Sequence, residues 1–429
     1  MENNSKPRCV SSANIIETKT LKCGIKVVME PIDYVQSAAF GVWVKAGSVN
    51  ENEENSGVSH YIEHMLFKGT KNRTARQIAQ DIDRIGGQIN AFTGKEATCF
   101  YTKTLGTSLE TGADVVIDML MDPLFDEIEL DKERQVICEE IKMVEDQPDE
   151  LAHDTILELI FKNDPLGSAI IGTPKSLAGI DRDRILDYKN RQYSRDSVVI
   201  SVAGNFDRDS ILNFLEDKFD RLSKSKEAAV FHKTPYTGSF KSIEKDILQS
   251  HLCIGTRGLS LNEQGRYSLA IINNVLGGSM SSRLFQNIRE EKGLAYSVYS
   301  LQSNFSYDGY FSIYAGIAHD KIEKTVDAIK DELNLIGSDG ITEEELEMSK
   351  EQIKSSFIFG QESVASRMFM NGKNMILLNR VYSPLEVINE YDKVTMDDIR
   401  EVENLICDIS KYSGVLVSDK EYDLENLLR

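Results

Sequence analysis

Two of the chain's six histidines stand four residues apart in GVSHYIEHMLFKGT, residues 57–70, with a glutamate between them. On a helix that turns 100° per residue, His60 and His64 lie about 40° apart and Glu63 about 60° to the other side of His60, so all three share one face. Two imidazoles at that spacing can bind one Zn2+ while the carboxylate reaches a water on the metal, the inverted H-x-x-E-H order of a zinc hydrolase. The other reading of the same residues is a surface helix with two ordinary histidines. A catalytic zinc also wants a third protein ligand and an open position for water, and LDKERQVICEEIKMVED, residues 130–146, offers carboxylates for it. There Leu130, Ile137, Ile141 and Val144 form an apolar stripe, Glu133 and Glu140 border it seven residues apart, and Glu139 points about 180° from Leu130. Glu140 is therefore the third-ligand candidate. Glu133, one level away on the same side, is placed to orient a histidine from behind, its alternative being an exposed helix charge.

These helices need a scaffold. IKVVME and AAFGVWV read as strands before the histidine motif, and TARQIAQDIDRIGG after it as a helix, with Thr74 and Gln77 as a capping box and Gly86 as its stop. QINAFTG and ATCFYTKTL then read as strands, helices begin near Leu109 and Leu130, and SVVISVAGN near residue 200 is a buried strand. The polar, period-free stretch 223–240, with Pro235 and Gly238, reads as a link between halves.

The halves resemble each other. QSAAFGVWVKAGS at 36–48 matches QSHLCIGTRGLS at 249–260, SHYIEHMLFKGT matches SLAIINNVLGGS, and CEEIK at 138–142 matches KEQIK at 350–354, at offsets of 213, 209 and 212 residues. That register sets His60, Glu63 and His64 opposite Leu269, Ile272 and Asn273, so a duplication is expected in which only the first copy keeps its polar triplet. The order of strands and helices predicts an α+β fold of two tandem homologous domains, each a mainly antiparallel sheet with helices packed on one face. The expected boundaries are a tail over 1–17, a catalytic domain over 18–222, the linker over 223–240 and a degenerate domain over 241–429.

Composition narrows the function. At 429 residues the chain is long enough for two cores, and with 41% hydrophobic and 28% charged residues it is not expected to be disordered. A formal charge of −20 argues against nucleic acid and anionic membranes as partners, because phosphate binding draws on clustered Lys and Arg. No apolar run approaches the roughly 18 residues of a membrane span. The first sixteen residues lack the pattern of a secretory signal or a mitochondrial presequence, and the six cysteines form no C-x-x-C pair; a reducing cytoplasm is the expected location.

His60, Glu63, His64, Glu133 and Glu140, with HMLFKGT after the motif and GGQINAFTGKEAT beyond it, closely resemble the pitrilysin or insulinase family of zinc peptidases, family M16. The 76-residue step from His64 to Glu140, the E-x6-E pair and the chain length are similar to its short, processing-peptidase-like subfamily, M16B. The resemblance implies a LuxS/MPP-like metallohydrolase fold, a bound Zn2+ and an endopeptidase in which Glu63 is general base on zinc-bound water. It further implies a homodimeric chamber that takes in unfolded or flexible peptides. In the second half, GGSMSSRLFQNIREEKGLAYSVYS fits the family's R-x6-Y element, which implies that Arg289 and Tyr296 contact substrate and assist the reacting carbonyl, across the dimer. A guanidinium and a phenol are reasonable donors to an oxygen that gains charge; read without the resemblance they are a salt bridge and a half-buried tyrosine. INAFT at 89–93 resembles the edge strand to which an extended peptide is added, with Asn90 and Ala91 near the scissile bond. The acidic balance suggests peptides with Arg or Lys near the cut. The alternative in another class is a non-catalytic, chamber-shaped binding or scaffold subunit of the same fold.

Overall fold

The computed structural model describes residues 15–224 and 230–429. Most of the tail expected over 1–17, and residues 225–229 of the expected linker, lie outside the described residues.

The first half lays down β1 to β6 as Glu17–Thr20, Lys26–Pro31, Ser37–Val44, Gln88–Thr93, Thr98–Leu105 and Val198–Gly204. Its helices α1 to α8 run Val58–Leu66, Ala75–Arg84, Leu109–Met121, Glu127–Asp146, Pro148–Ile160, Pro174–Ala178, Arg182–Gln192 and Arg208–Leu215. The second half follows with β7 to β11 as Phe240–Glu244, Ser250–Arg257, Ala295–Asn304, Gly309–Ile317 and Ser413–Ser418. Its helices α9 to α14 run Arg266–Asn273, Ile322–Asp339, Glu343–Gly360, Val364–Leu378, Pro384–Lys393 and Met396–Cys407. No helix among the described residues is long and apolar enough to cross a membrane.

The two sheets repeat one topology. The first is ordered β1-β2-β6-β3-β5-β4 and the second β7-β11-β8-β10-β9. In both, one parallel pair, β2 with β6 and β11 with β7, adjoins a run of antiparallel pairs. Strand β8 begins and ends 213 residues after β3, so the register inferred from the sequence is the register of the fold. The central strand β3, SAAFGVWV, is apolar without alternation because both of its faces are covered.

The expected helix layer lies on one face of each sheet. On the first it joins Phe40, Val42 and Phe100 to Tyr61, Ile62 and Met65 of α1 and Val115, Val116 and Met119 of α3. On the second it joins Leu252, Ile254 and Phe311 to Leu269 and Ile272 of α9 and Ile329 and Leu333 of α10. The opposite faces are covered as well, and this departs from helices on one face only. Helix α12, from the second half, lies on the first sheet, with Met368 against Ala39 and Ala203 and with Met375 and Ile376 against Trp43, Cys99 and Val199. Helix α5, from the first half, reciprocates by setting Ala152, Ile156 and Ile160 on Cys253, Val415 and Val417. The physical reason is that a wide sheet has two apolar faces and each half's own helices cover one.

The exchanged α12 sits unusually close. A Cβ on its Gly372 would lie 2.0 Å from the Trp43 Nε1, and one on Gly41 of β3 would lie 2.4 Å from the Met368 Sδ, so glycine at both positions is what lets helix and sheet touch. Under the helix, the Glu30 carboxylate is 1% exposed and is held by Arg367 and by the Asn371 amide, Nδ2 donating to Oε2 at 2.8 Å. The tips of the β4–β5 and β9–β10 turns also meet, where the buried Glu96 carboxylate accepts from the Ser306 N–H at 3.0 Å.

Candidate metal centre

Helix α1 is amphipathic: Val58, Tyr61, Ile62, Met65 and Leu66 are buried, which leaves His60, Glu63 and His64 at the border of its core face. Its start is built with care. Gly57 stands at φ 90°, where a Cβ would lie 2.7 Å from the Ile171 carbonyl oxygen. The Glu51 carboxylate accepts the N–H groups of Gly57 at 2.6 Å and Ser59 at 2.8 Å, doing for this helix what a capping side chain does. Burial outweighs those two bonds and pushes the Glu51 carboxyl up to about 7. Replacing Glu51 by Ala strands both donors and is expected to cost about 1–2 kcal/mol of stability, read as a lowered midpoint in chemical denaturation. An unchanged midpoint would remove Glu51 from this role.

Helix α4 supplies the opposite wall. Asp126 caps it, accepting from the N–H of Ile128 at 2.9 Å and of Glu129 at 3.2 Å, so it starts three residues before Leu130. Leu130, Ile137 and Ile141 are buried, and the Tyr61 hydroxyl donates to the Leu130 carbonyl, pinning α1 to α4.

Between the two helices, ligating atoms of His60, His64 and Glu140 all lie within 4.8 Å of one another. Glu140 Oε2 is 4.0 Å from the His60 Nε2 and 3.7 Å from the His64 Nε2. Those separations are too long for hydrogen bonds and close to the ~3.3 Å that ligand atoms keep around a tetrahedral ion with bonds of about 2.0–2.1 Å. Burial and the neighbouring His64 push His60 down to about 4, so its imidazole is neutral near pH 7, as a ligand must be. The residues present therefore fit a zinc ion. From behind, Glu133 Oε2 stands 3.1 Å from the His64 Nδ1, and a proton on that nitrogen leaves the Nε2 lone pair facing the cluster. The other Glu133 oxygen is 2.6 Å from the Lys68 ammonium. Glu63 lies on the same face; its carboxyl accepts from the Thr93 hydroxyl of β4, and burial raises it above the usual carboxylate range.

The other candidates fall elsewhere. Asn90 and Ala91 lie on β4, the edge strand of the first sheet, three and two residues before Thr93. Asn90 Oδ1 accepts the Ala91 N–H at 2.8 Å. The described contacts of Arg289 and Tyr296 are local ones, none of them with the cluster. Arg289 pairs with Glu290 at 3.6 Å and covers the rings of Phe285 and Tyr296, while Tyr296 is 79% exposed at the start of β9, not half-buried. Glu139 is on the outer face, paired with Lys142. In the second copy, the counterpart of Glu140 is Gln352, which accepts from the Asn274 amide at 2.9 Å, while Leu269 and Ile272 are core residues. Sequence reasoning gave no role to Lys68, Thr93 or Glu51. The first two lie inside stretches singled out as motifs, HMLFKGT and INAFT, and that was their one signal.

Comparison with known proteins follows the same division. Residues 26–174 match the family profile described as Insulinase (Peptidase family M16), and residues 179–353 the one described as Peptidase M16 inactive domain. The chain is 43% identical over 385 residues to the Bacillus subtilis protein named uncharacterized zinc protease YmxG, a match covering 90% of this chain and 94% of that one. A Streptomyces coelicolor protein, also named an uncharacterized zinc protease, is 35% identical over 395 residues, covering 90% of this chain and 86% of its own length. Among solved structures, a protease from Helicobacter pylori superposes with a TM-score of 0.89 at 22% identity, over 95% of this chain and 100% of that one, which is a likeness of fold.

Proposed function

Because the chain belongs to the insulinase family, peptidase family M16, we propose that it is a zinc-dependent metalloendopeptidase acting on unfolded or flexible peptides. The observation that carries this reading is the convergence of the His60, His64 and Glu140 ligand atoms beside the carboxyl of Glu63. His60, His64 and Glu140 would hold the ion. Zinc bound there supplies Lewis acidity, which polarises a carbonyl and lets water ionise near neutral pH. Glu63 takes a proton from the attacking water and returns it to the leaving amine, and its hydrogen bond from Thr93 fixes the carboxyl for both transfers. The open side of β4 lets an extended peptide pair with the backbone near Asn90 and Ala91, a grip that reads no particular sequence.

Arg289 and Tyr296 complete the site from a second copy of the chain. Their exposure and their lack of a described contact with the cluster in one chain support that arrangement. The free thiols of Cys23, Cys99, Cys138, Cys253 and Cys407 are in keeping with a reducing cytoplasm. The profile of the second half carries the word inactive, and a scaffold lacking catalysis is the rival outcome.

One experiment separates them: metal analysis of the purified chain, with cleavage-site mapping on a peptide library before and after chelation. About one zinc per chain, chelator-sensitive cleavage and cuts enriched beside Arg or Lys are expected. Cleavage that survives complete metal removal would overturn the metallopeptidase reading, absence of both metal and cleavage would favour the scaffold, and indifference to flanking charge would sink the basic-peptide preference alone.

A further inference from the structure

Of the ion pairs among the described residues, one joins a lysine or arginine to Glu63, Glu133 or Glu140, and it is that of Lys68. Lys68 stands two residues past the end of α1, four after His64, and its Nζ lies 2.6 Å from Glu133 Oε1 while Glu133 Oε2 lies 3.1 Å from the His64 Nδ1. Glu133 is 6% exposed, so the lysine is the cation it has in place of water. We propose that Lys68 is a positioning residue of the metal centre: by gripping one Glu133 oxygen it turns the other onto the His64 Nδ1 and so aims the His64 Nε2 at the ion. The inference rests on the reading of His60, His64 and Glu140 as zinc ligands.

The degenerate copy supplies the contrast. At the repeat offset of 212 residues, Glu345 and Gln352 stand where Glu133 and the ligand Glu140 do, and at the offset of 209 Asn273 stands where the ligand His64 does. There an arginine, Arg283, takes both carboxylate oxygens, Nε on Oε1 and Nη2 on Oε2, each at 2.7 Å. A forked guanidinium engages a carboxylate through both oxygens, whereas an ammonium is a point donor that occupies one. In the copy that keeps its histidines, the single-oxygen grip leaves Oε2 for His64; in the copy without them, the Oε2 that Arg283 holds also accepts the Thr342 N–H at 2.8 Å, so it serves the start of α11 and faces no ligand histidine. A cation that served only to tie helix to helix would not need that difference.

The experiment is competition for zinc between a chromophoric chelator and the full-length chain, for wild type, Lys68→Met, Glu133→Gln, the double variant and Glu140→Gln, with thermal melts of the metal-free proteins alongside. Groups behind a metal ligand typically govern 10–100-fold of affinity. Lys68→Met is expected to weaken zinc binding by about that factor, and Lys68→Met with Glu133→Gln to bind no more weakly than Glu133→Gln alone. Zinc affinity of Lys68→Met within threefold of wild type, even with a lowered melting point, would overturn the proposal and leave Lys68 as a structural tie. Losses that multiply in the double variant would overturn it too, because Lys68 would then act without Glu133. Glu140→Gln reports on the premise separately: if it binds zinc as wild type does, the ligand set itself is wrong.

Discussion

Glu63→Gln is expected to keep its zinc and to lose peptide cleavage by roughly 10²–10⁴-fold, the usual contribution of a positioned acid–base group. The amide is nearly isosteric, it can still accept the hydrogen bond that the Thr93 hydroxyl gives Glu63, and it removes no ligand from the His60, His64 and Glu140 set. What it cannot do is accept a proton from water. Metal content and single-turnover cleavage of an unstructured peptide check the two halves of the claim. A variant that cuts at the wild-type rate would end the general-base assignment, and one that loses its zinc would show that Glu63 supports the ion as well.

The same variant tests the second subunit. In a two-fold dimer whose sites each draw Arg289 and Tyr296 from the partner, a mixed dimer of Glu63→Gln and Tyr296→Phe chains carries both lesions in one site and neither in the other. Mixing the two inactive proteins under conditions of subunit exchange is therefore expected to restore cleavage. Mixtures that stay inactive while forming mixed dimers would place those residues outside the partner's site.

Arg367→Leu is expected to cost about 3–5 kcal/mol of stability, because it strands the Glu30 carboxylate, 1% exposed, beneath α12. The Asn371 amide would remain as its one described donor. For comparison, Arg191→Ala breaks an ion pair whose partners are both more than half exposed, and should shift stability by less than about 1 kcal/mol. Denaturant titration of both variants checks the contrast. A small loss for Arg367→Leu would mean that α12 is held by its apolar contacts with Trp43, Cys99 and Val199 and not by this pair.

Much of the candidate metal centre was legible because helix geometry is local. A spacing of four puts His60 and His64 on one face, a spacing of seven returns Glu140 to the level-by-level border that Glu133 occupies, and the apolar stripe of α4 says which border faces inward. The identical offset of both ends of β3 and β8 likewise follows from a copied segment, so the repeat could be read without coordinates. Lys68 and Thr93 were invisible by the same logic. Each acts on a residue far along the chain or on another element, Glu133 or Glu63, and nothing in a lysine or a threonine announces its partner.

What the sequence by itself determined, then, is which side chains share a face, where strands and helices run, and that one half repeats the other without its polar triplet. Only the tertiary structure decided that α5 and α12 cross over to the opposite halves' sheets. An amphipathic helix records that it has an apolar face, but not which of two similar sheets will cover it; that choice is made by glycines at Gly41 and Gly372 that allow close approach, and by Arg367 reaching Glu30. It also decided that Arg289 lies over the ring of Tyr296, which opens β9 at the edge of the second sheet, with no described contact from either to His60, Glu63, His64 or Glu140.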